Sequence, residues 1–177
     1  MINLFSTPFW EFEIPQYVEL NYKLISISRN VEGGHKYFET DHPAVQELKN
    51  VIQGHINEIS KEYGWRELTL KGRQNTILPG ACDGPHNHPW SAVTAVYYVE
   101  VPKNSGDILL HDPRGGINYS WWPYNERRRP FIRIKPKAGM LVIFPGYLIH
   151  SVETNLSRSP RISIVIDAEG SPLFDAE

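Results

Sequence analysis

Three of the seven histidines occur where they could bind a metal ion. His86 and His88 are two residues apart in the segment GPHNHPW, just before a predicted strand, and His150 follows another predicted strand in PGYLIHSVE. In an extended segment, side chains two residues apart point to the same side. Such a pair, closed by a third ligand from a neighbouring strand, forms one face of a metal site and leaves other coordination positions open. We therefore expect a metal site here.

Other residues near these histidines offer alternative ligands. Cys82 could join His86 and His88 in a structural zinc site, because thiolate and imidazole both suit zinc. Asp112 could reach the metal from a neighbouring strand, and Asp83 from the loop before His86. Each aspartate also has an ordinary role in a turn, one before a proline and the other in an Asp-Gly pair. Histidines at the surface or at a strand end, without a metal, are the remaining alternative.

A second chemical feature follows His150 in the sequence. Arg161 begins the predicted strand RISIVID, and Ser163 shares its strand face. An arginine that points into an apolar barrel is costly unless it is paired. A guanidinium beside a hydroxyl is suited to binding a carboxylate through two hydrogen bonds. The pattern predicts a carboxylate-binding site, with an arginine at the rim bonded to Asp167 or Glu153 as the alternative.

One amphipathic helix is predicted before these motifs. It begins near Asp41, the expected N-cap, has Pro43 in its first turn, and ends at Gly64. Apolar positions and one histidine recur along it at three- and four-residue spacing, which is typical of a helix with one buried face. These positions are Val45, Leu48, Val51, Ile52, His55, Ile56 and Ile59.

The chain after this helix favours β-strands separated by Pro and Gly. The predicted strands are residues 65–77, 91–101, 107–111, 131–134, 139–144 and 161–166. Many short strands with a helix packed outside predict a mainly β fold, a double-stranded β-helix (jelly roll, cupin-like) with one supporting N-terminal α-helix. Residues 1–64 would form the N-terminal segment and support helix, and residues 65–170 the jelly-roll core. The segment 115–130 fits neither period and is expected to be an excursion from the core.

Composition limits the class of protein. The chain has 177 residues, 41% of them apolar, a net charge of −2 and one cysteine, which predicts a single globular domain without an intrachain disulfide. The near-neutral charge argues against a nucleic-acid partner. Residues 1–15 contain two glutamates and no Lys or Arg, so we expect no secretory signal, no membrane partner and a cytoplasmic protein. The oligomeric state is left open.

The order and spacing of five motifs resemble the Fe(II)/2-oxoglutarate-dependent dioxygenases. The closest resemblance is to the small 2OG-Fe(II) oxygenases of bacteria and phages, with prolyl hydroxylases as more distant relatives. It spans at least residues 71–167, and the N-terminal LFSTPFWEFEIP is also similar. In this sequence the motifs are HNH just before a predicted strand, the alternating strand SAVTAVYYV, SGDILL, FPGYLIHSV and RIS.

The resemblance implies roles for the matching residues. His86 and His150 match the iron-binding histidines, and Arg161 matches the arginine that binds 2-oxoglutarate. Most relatives carry a carboxylate where this chain has His88, so three neutral imidazoles leave the metal more cationic. The closest group reads His-x-His-Pro, which makes His88 the expected third ligand, with Asp112 or Asp83 as alternatives. The residues implied to bind or line the cosubstrate site are Arg161, Ser163, Tyr98, Thr94, Val96 and Leu109.

The resemblance also implies an activity. Such an enzyme uses Fe(II), 2-oxoglutarate and O2 to hydroxylate an unactivated C–H bond of an amino acid, a peptide or protein side chain, or a small metabolite, and it releases succinate and CO2. Two alternatives stay open: a three-histidine cupin-type dioxygenase that does not use 2-oxoglutarate, and a non-catalytic jelly-roll binding module.

The segment 115–130 would then form a lid or a substrate wall. Its aromatic side chains could stack on a planar or proline-like substrate, and its arginines could attract a carboxylate. Arg114 is expected either to contact substrate or to form a salt bridge within a hairpin. The residues considered in this segment are Trp121, Trp122, Tyr124, Arg127, Arg128 and Arg129.

Overall fold

A computed structural model describes residues 6–28, 37–114 and 130–170. Within these ranges the helices are α1 (Tyr17–Ser28), a short 3-10 helix (Tyr37–Glu39) and α2 (Pro43–Tyr63). The strands are β1 (Trp10–Glu13), β2 (Thr69–Ile77), β3 (Asp83–His86), β4 (Val93–Glu100), β5 (Ile108–His111), β6 (Phe131–Ile134), β7 (Met140–Pro145), β8 (His150–Val152) and β9 (Arg161–Glu169). Residues 115–129, which include Trp121, Trp122, Tyr124 and the three arginines, lie outside the described residues.

The strands form two antiparallel sheets. The larger sheet has the order β1-β7-β4-β9-β2, and the smaller has the order β3-β8-β5-β6. The mainly β prediction is confirmed, and residues 1–64 contribute β1 as an edge strand of the larger sheet. Since β4 and β9 lie in the middle of the larger sheet, each is hydrogen-bonded along both edges.

Strand β4 separates two apolar clusters because its side chains alternate between the faces of the larger sheet. Ala95 and Tyr97 pack outward in a cluster with the helices. Val96 and Tyr98 pack inward in a second cluster, which includes Leu110 from the smaller sheet. The described part of the molecule therefore has a helical layer, a large sheet and a small sheet, and the second apolar cluster lies between the two sheets.

Helix α2 covers the outer face of the larger sheet. Its N-cap is His42 rather than the predicted Asp41, because the His42 ring Nδ1 accepts a hydrogen bond from the Ala44 backbone N–H at 3.2 Å. It ends at Gly64, whose φ of 67° is the left-handed conformation that glycine adopts readily. No helix in the described ranges has the length and apolar character needed to span a bilayer.

Several elements were not predicted from periodicity. Helix α1 is short, and its buried Asn21 donates hydrogen bonds to the carbonyls of Tyr98 and Val99 at 3.4 and 2.7 Å. Its position thus depends on contacts with β4 that are distant in sequence. Strands β3 and β8 have only four and three residues, and β3 contains Gly84 and Pro85, which usually mark turns. These two short strands carry His86 and His150.

Candidate metal centre

Two paired strands and the loop after one of them bring three histidines together. His86 ends β3 and lies opposite His150, which begins β8. His88 follows two residues after His86, and its backbone N–H donates to the Gly146 carbonyl at 2.9 Å. Ligand nitrogens of the three rings all lie within 4.8 Å of one another. Within the described part of the chain, this group contains no cysteine and no carboxylate.

Each of the three rings uses Nδ1 for a hydrogen bond. His86 Nδ1 lies 2.8 Å from the Gly84 carbonyl, and His150 Nδ1 lies 3.0 Å from the Leu148 carbonyl. His88 Nδ1 lies 2.6 Å from Asp167 Oδ1. Carbonyl and carboxylate oxygens accept hydrogen bonds, so the proton of each neutral ring is assigned to Nδ1 and the lone pair to Nε2.

The free nitrogens suit a metal ion. His88 Nε2 is buried and has no hydrogen-bond partner among the described residues. Metal-binding histidines usually donate their second ring N–H to a carboxylate or backbone carbonyl, as all three rings do here. Imidazole nitrogen is a ligand that suits iron. The donor set therefore fits Fe(II).

His150 is the most buried of the three histidines. The pKa of His150 is lowered to about 4, mainly by burial; the Leu148 carbonyl opposes the shift, and the nearby histidines His86, His88 and His111 add to it. At neutral pH the ring is uncharged, which is the form that binds metal.

The alternative ligands have other contacts. Arg114 binds the Asp112 carboxylate, its Nε donating to Oδ1 at 2.9 Å, and this contact lowers the pKa of Asp112. Arg114 thus forms the salt bridge considered above. Asp83 accepts a hydrogen bond from Asn75 Nδ2 at 2.7 Å, and Cys82 is an exposed free cysteine.

Arg161 is buried beside the histidines, with an exposed fraction of 2%. Its NH1 donates to the Gly106 carbonyl at 3.2 Å, and its Cζ lies 5.0 Å from the centroid of the Tyr98 ring. Its Nε has no hydrogen-bond partner in the described ranges. The acids considered as alternative partners bind elsewhere: Asp167 contacts His88, and Glu153 accepts from Arg133.

Tyr98 adds a second buried donor near Arg161. Its hydroxyl lacks a hydrogen-bond partner among the residues described, and burial raises its pKa to about 12 despite the opposing effect of Arg161. It therefore stays protonated at neutral pH. Buried donors without acceptors are rare because each costs free energy. An acceptor such as a carboxylate of 2-oxoglutarate fits both Tyr98 and Arg161.

A narrow pocket between the two sheets joins the histidines to Arg161. Of the predicted cosubstrate residues, Arg161, Val96 and Ser163 line this pocket. Thr94 is buried beside Asp167, its Oγ1 3.5 Å from Oδ1. Ile108 of β5 lines the pocket. Its neighbour Leu109 points to the opposite face of the strand. The lining residues are Arg73, Asn75, Asp83, His86, His88, Val96, Ile108, His150, Val152, Arg161, Ser163 and Val165.

Sequence reasoning did not identify Asp167 as a neighbour of the metal site, nor Arg73 and Asn75 as pocket residues. Alternation along β9 was a usable signal, because it places residues 161, 163, 165 and 167 on one face. Along β2, Arg73 and Asn75 lie opposite Val165 and Ser163. Their position could be read only after the pairing of β2 with β9 was known.

Comparison with known families identifies one match. A family model described as "Putative 2OG-Fe(II) oxygenase" matches residues 74–167, more than half of the chain. The matched region includes His86, His88, His150 and Arg161. A search of curated protein sequences finds no match.

Solved structures share the fold at low sequence identity. A prolyl-4-hydroxylase from Pseudomonas putida aligns with a TM-score of 0.68 at 14% identity, covering 94% of this chain and 90% of that one. A 2OG-Fe(II) oxygenase family oxidoreductase from Burkholderia pseudomallei has a TM-score of 0.62 at 16% identity, covering 90% and 84%. The epimerase SnoN, solved with Fe3+, alpha ketoglutarate and nogalamycin RO, has a TM-score of 0.67 at 12% identity, covering 92% and 79%. The predicted double-stranded β-helix is confirmed.

Proposed function

Because this chain belongs to the 2OG-Fe(II) oxygenase family and is therefore an enzyme that uses Fe(II) and 2-oxoglutarate, we propose that it hydroxylates a C–H bond. The proposed substrate is an amino acid, a peptide or protein side chain, or a small metabolite, with O2 as co-substrate. When bound, the iron and 2-oxoglutarate supply the activation of O2, and 2-oxoglutarate leaves as succinate and CO2.

We assign the metal to the three histidines. His86, His88 and His150 would hold Fe(II) through their Nε2 atoms. The observation that carries this assignment is the shared use of Nδ1: each ring donates from Nδ1 to a fixed oxygen, which orients its remaining lone pair. No carboxylate is required in the set.

We assign the distal carboxylate of 2-oxoglutarate to Arg161 and Tyr98. Arg161 is held by the Gly106 carbonyl and lies against the Tyr98 ring, so its guanidinium is oriented before the cosubstrate binds. Ser163 and Val96 would line the cosubstrate site, and Thr94 would support it from β4. The apolar cluster between the sheets excludes water from this region, which strengthens the charged contact.

An anaerobic titration tests both assignments. Purified apoprotein is titrated with Fe(II) and then with 2-oxoglutarate, and the weak visible charge-transfer band of the chelated 2-oxo acid is followed. We expect a band that saturates in the wild type and is lost in His150→Ala. In Arg161→Ala, half-saturation should need about 10- to 100-fold more 2-oxoglutarate, since a hydrogen-bonded charge pair is lost.

Arg133→Ala is the matched control for the arginine. Arg133 is a half-exposed arginine of the smaller sheet that pairs with Asp107 and Glu153, and it should titrate like the wild type. Unchanged 2-oxoglutarate affinity in Arg161→Ala would refute the role given to Arg161. Tight Fe(II) binding in His88→Ala would instead indicate Asp112 or Asp83 as the third ligand.

A three-histidine dioxygenase that ignores 2-oxoglutarate is the second candidate, and His88 is the observation that favours it. That enzyme would consume O2 without forming succinate. With no 2-oxoglutarate bound, the buried donors of Arg161 and Tyr98 would have no assigned acceptor. Measuring O2 and succinate together, with free amino acids and proline-containing peptides as trial substrates, separates the two reactions. Ligand binding that needs no metal would indicate the non-catalytic module.

A further inference from the structure

We propose that Asp167 is a positioning residue of the metal centre, and that His88 and Asp167 together replace the carboxylate ligand found in most relatives. The imidazole would supply the ligand atom, and the carboxylate behind it would supply the negative charge. This inference rests on the proposed function, because it takes His88 as a ligand of Fe(II).

The contact between the two side chains is short and buried. His88 Nδ1 and Asp167 Oδ1 are 2.6 Å apart, and the side chains have exposed fractions of 7% and 11%. Hydrogen bonds to ionised acceptors are shorter and stronger than neutral ones, and the low dielectric of a buried site increases their strength. The two residues are 79 positions apart in sequence, so the fold brings them together.

The group that accepts the Nδ1 hydrogen bond distinguishes His88 from the other two histidines. Behind His86 and His150, the acceptors at Nδ1 are the neutral backbone carbonyls of Gly84 and Leu148. Behind His88 it is a carboxylate. The charged partner thus occurs behind His88, the position at which the resemblance to the 2-oxoglutarate oxygenases implies a carboxylate ligand.

The scaffold holds both members of the pair. Asp167 lies in β9, opposite Thr94 of β4 and Lys71 of β2. On the other side, the backbone N–H of His88 donates to the Gly146 carbonyl at 2.9 Å. The His88 ring is therefore fixed from its backbone and from its Nδ1, while Nε2 is buried without a partner in the described ranges.

The His88–Asp167 pair also supplies the negative charge that a carboxylate ligand would bring to the site. A carboxylate ligand brings one negative charge to the metal, and a neutral imidazole brings none. A carboxylate hydrogen-bonded to Nδ1 restores that charge on the far side of the imidazole ring. It also makes Nε2 a stronger ligand for the metal. Three histidines and Asp167 thus match the total charge of two histidines and one carboxylate ligand.

Metal affinity tests the proposal without measuring turnover. Anaerobic Fe(II) binding is measured by competition with a chelator for the wild type, Asp167→Asn and Glu169→Gln. Asp167→Asn keeps the shape and removes the charge, and we expect about 10- to 100-fold weaker binding. Glu169→Gln removes a carboxylate from the same strand, one that pairs with Lys71 at 2.6 Å and lies outside the pocket, and its affinity should be unchanged.

Two further readouts distinguish positioning from a structural role. In Zn(II)-loaded wild type with 15N-labelled histidine, His88 should show a slowly exchanging Nδ1 proton, and this measurement needs no variant. In Asp167→Asn that proton should exchange faster, because a neutral amide oxygen is a weaker acceptor than a carboxylate, while the signal of the buried His150 ring should remain. In a His88→Ala background, Asp167→Asn should weaken Fe(II) binding no further, because the partner ring is gone.

Each contrary result has a defined meaning. Fe(II) affinity unchanged in Asp167→Asn, an equal loss in Glu169→Gln, or a His88 ring bound to Zn(II) through Nδ1 overturns the inference and leaves the proposed function intact. A wild type that binds no Fe(II) overturns both.

Discussion

At the scale of single residues, buried polar side chains hold the loops that frame the site. Asn155 is fully buried in the connection between β8 and β9, which carry His150 and Arg161. Its amide nitrogen donates to the carbonyls of Ile77 and Ser159, both at 2.9 Å, and its Oδ1 accepts from Ser157. One side chain thus fixes the loop that joins β8 to β9.

Removing this amide should destabilise the protein. We expect Asn155→Ala to lower the free energy of unfolding by about 1–3 kcal/mol for each buried group left unpaired, measured by urea denaturation. Asn50→Ala, at an exposed position of α2, is the control and should change stability little. Equal effects of the two substitutions would show that the Asn155 hydrogen bonds contribute nothing.

Gly146 is where the chain after β7 passes closest to the His88 loop. A Cβ atom there would lie 2.1 Å from the Ser91 carbonyl oxygen and 2.9 Å from the His88 carbonyl oxygen. Gly146→Ala should displace the His88 backbone and weaken Fe(II) binding in the anaerobic competition assay. Gly54→Ala is the control: a Cβ there meets nothing within 4 Å, so it should leave Fe(II) affinity unchanged and stabilise α2 by about 0.5–1 kcal/mol. Normal affinity in Gly146→Ala would show that the loop adapts.

At the scale of elements, α2 supports the larger sheet from the face opposite the pocket. Ile52 is fully buried in the cluster between α2 and this sheet. Ile52→Ala should lower the free energy of unfolding by about 2–5 kcal/mol while the folded protein keeps its Fe(II) affinity. Val51→Ala removes a partly buried side chain beside it and should cost less. A loss of metal affinity in folded Ile52→Ala would contradict the separation of the two faces.

Elements with a long, regular pattern could be predicted from sequence, and so could the short strands β5 and β6, whereas β1, β3, β8 and α1 could not. The apolar spacing of α2 and the β-branched runs of β4, β7 and β9 identify these elements within a few residues. By contrast, β3 contains Gly84 and Pro85, which usually mark turns, and forms only because it pairs with β8. Helix α1 likewise depends on the contacts of Asn21 with β4.

Part of the candidate site could also be predicted from the sequence. The spacing of His86 and His88 and the position of His150 predicted the group that the structure brings together. The roles of these residues as iron ligands stay predictions. The partner of His88 could not be predicted, because Asp167 is 79 residues away and only the pairing of strands places it there.

At the scale of the whole molecule, metal binding should be linked to stability. The histidines come from β3, β8 and the loop before β4, so a bound ion would join these segments in the folded state only. At a free Fe(II) concentration of 100 times Kd, stability should rise by about 2.7 kcal/mol, or about 5–10 °C in Tm. Anaerobic thermal unfolding measures this rise. The same rise in His150→Ala would show that Fe(II) binds elsewhere.

The pairing of strand β9 on both edges bears on which cosubstrates the proposed enzyme would accept. It is hydrogen-bonded to β4 on one edge and β2 on the other, and one face carries both Arg161 and Asp167, the support of His88. A strand advances about 3.3 Å per residue, so the backbone ladder sets the spacing between Arg161 and Asp167. In the proposed complex, this spacing would limit the length of the 2-oxo diacid that can reach both Arg161 and the metal. The longer 2-oxoadipate and the shorter oxaloacetate would each lose contact at one end, and β9 would select the cosubstrate by length, whatever substrate the enzyme oxidises.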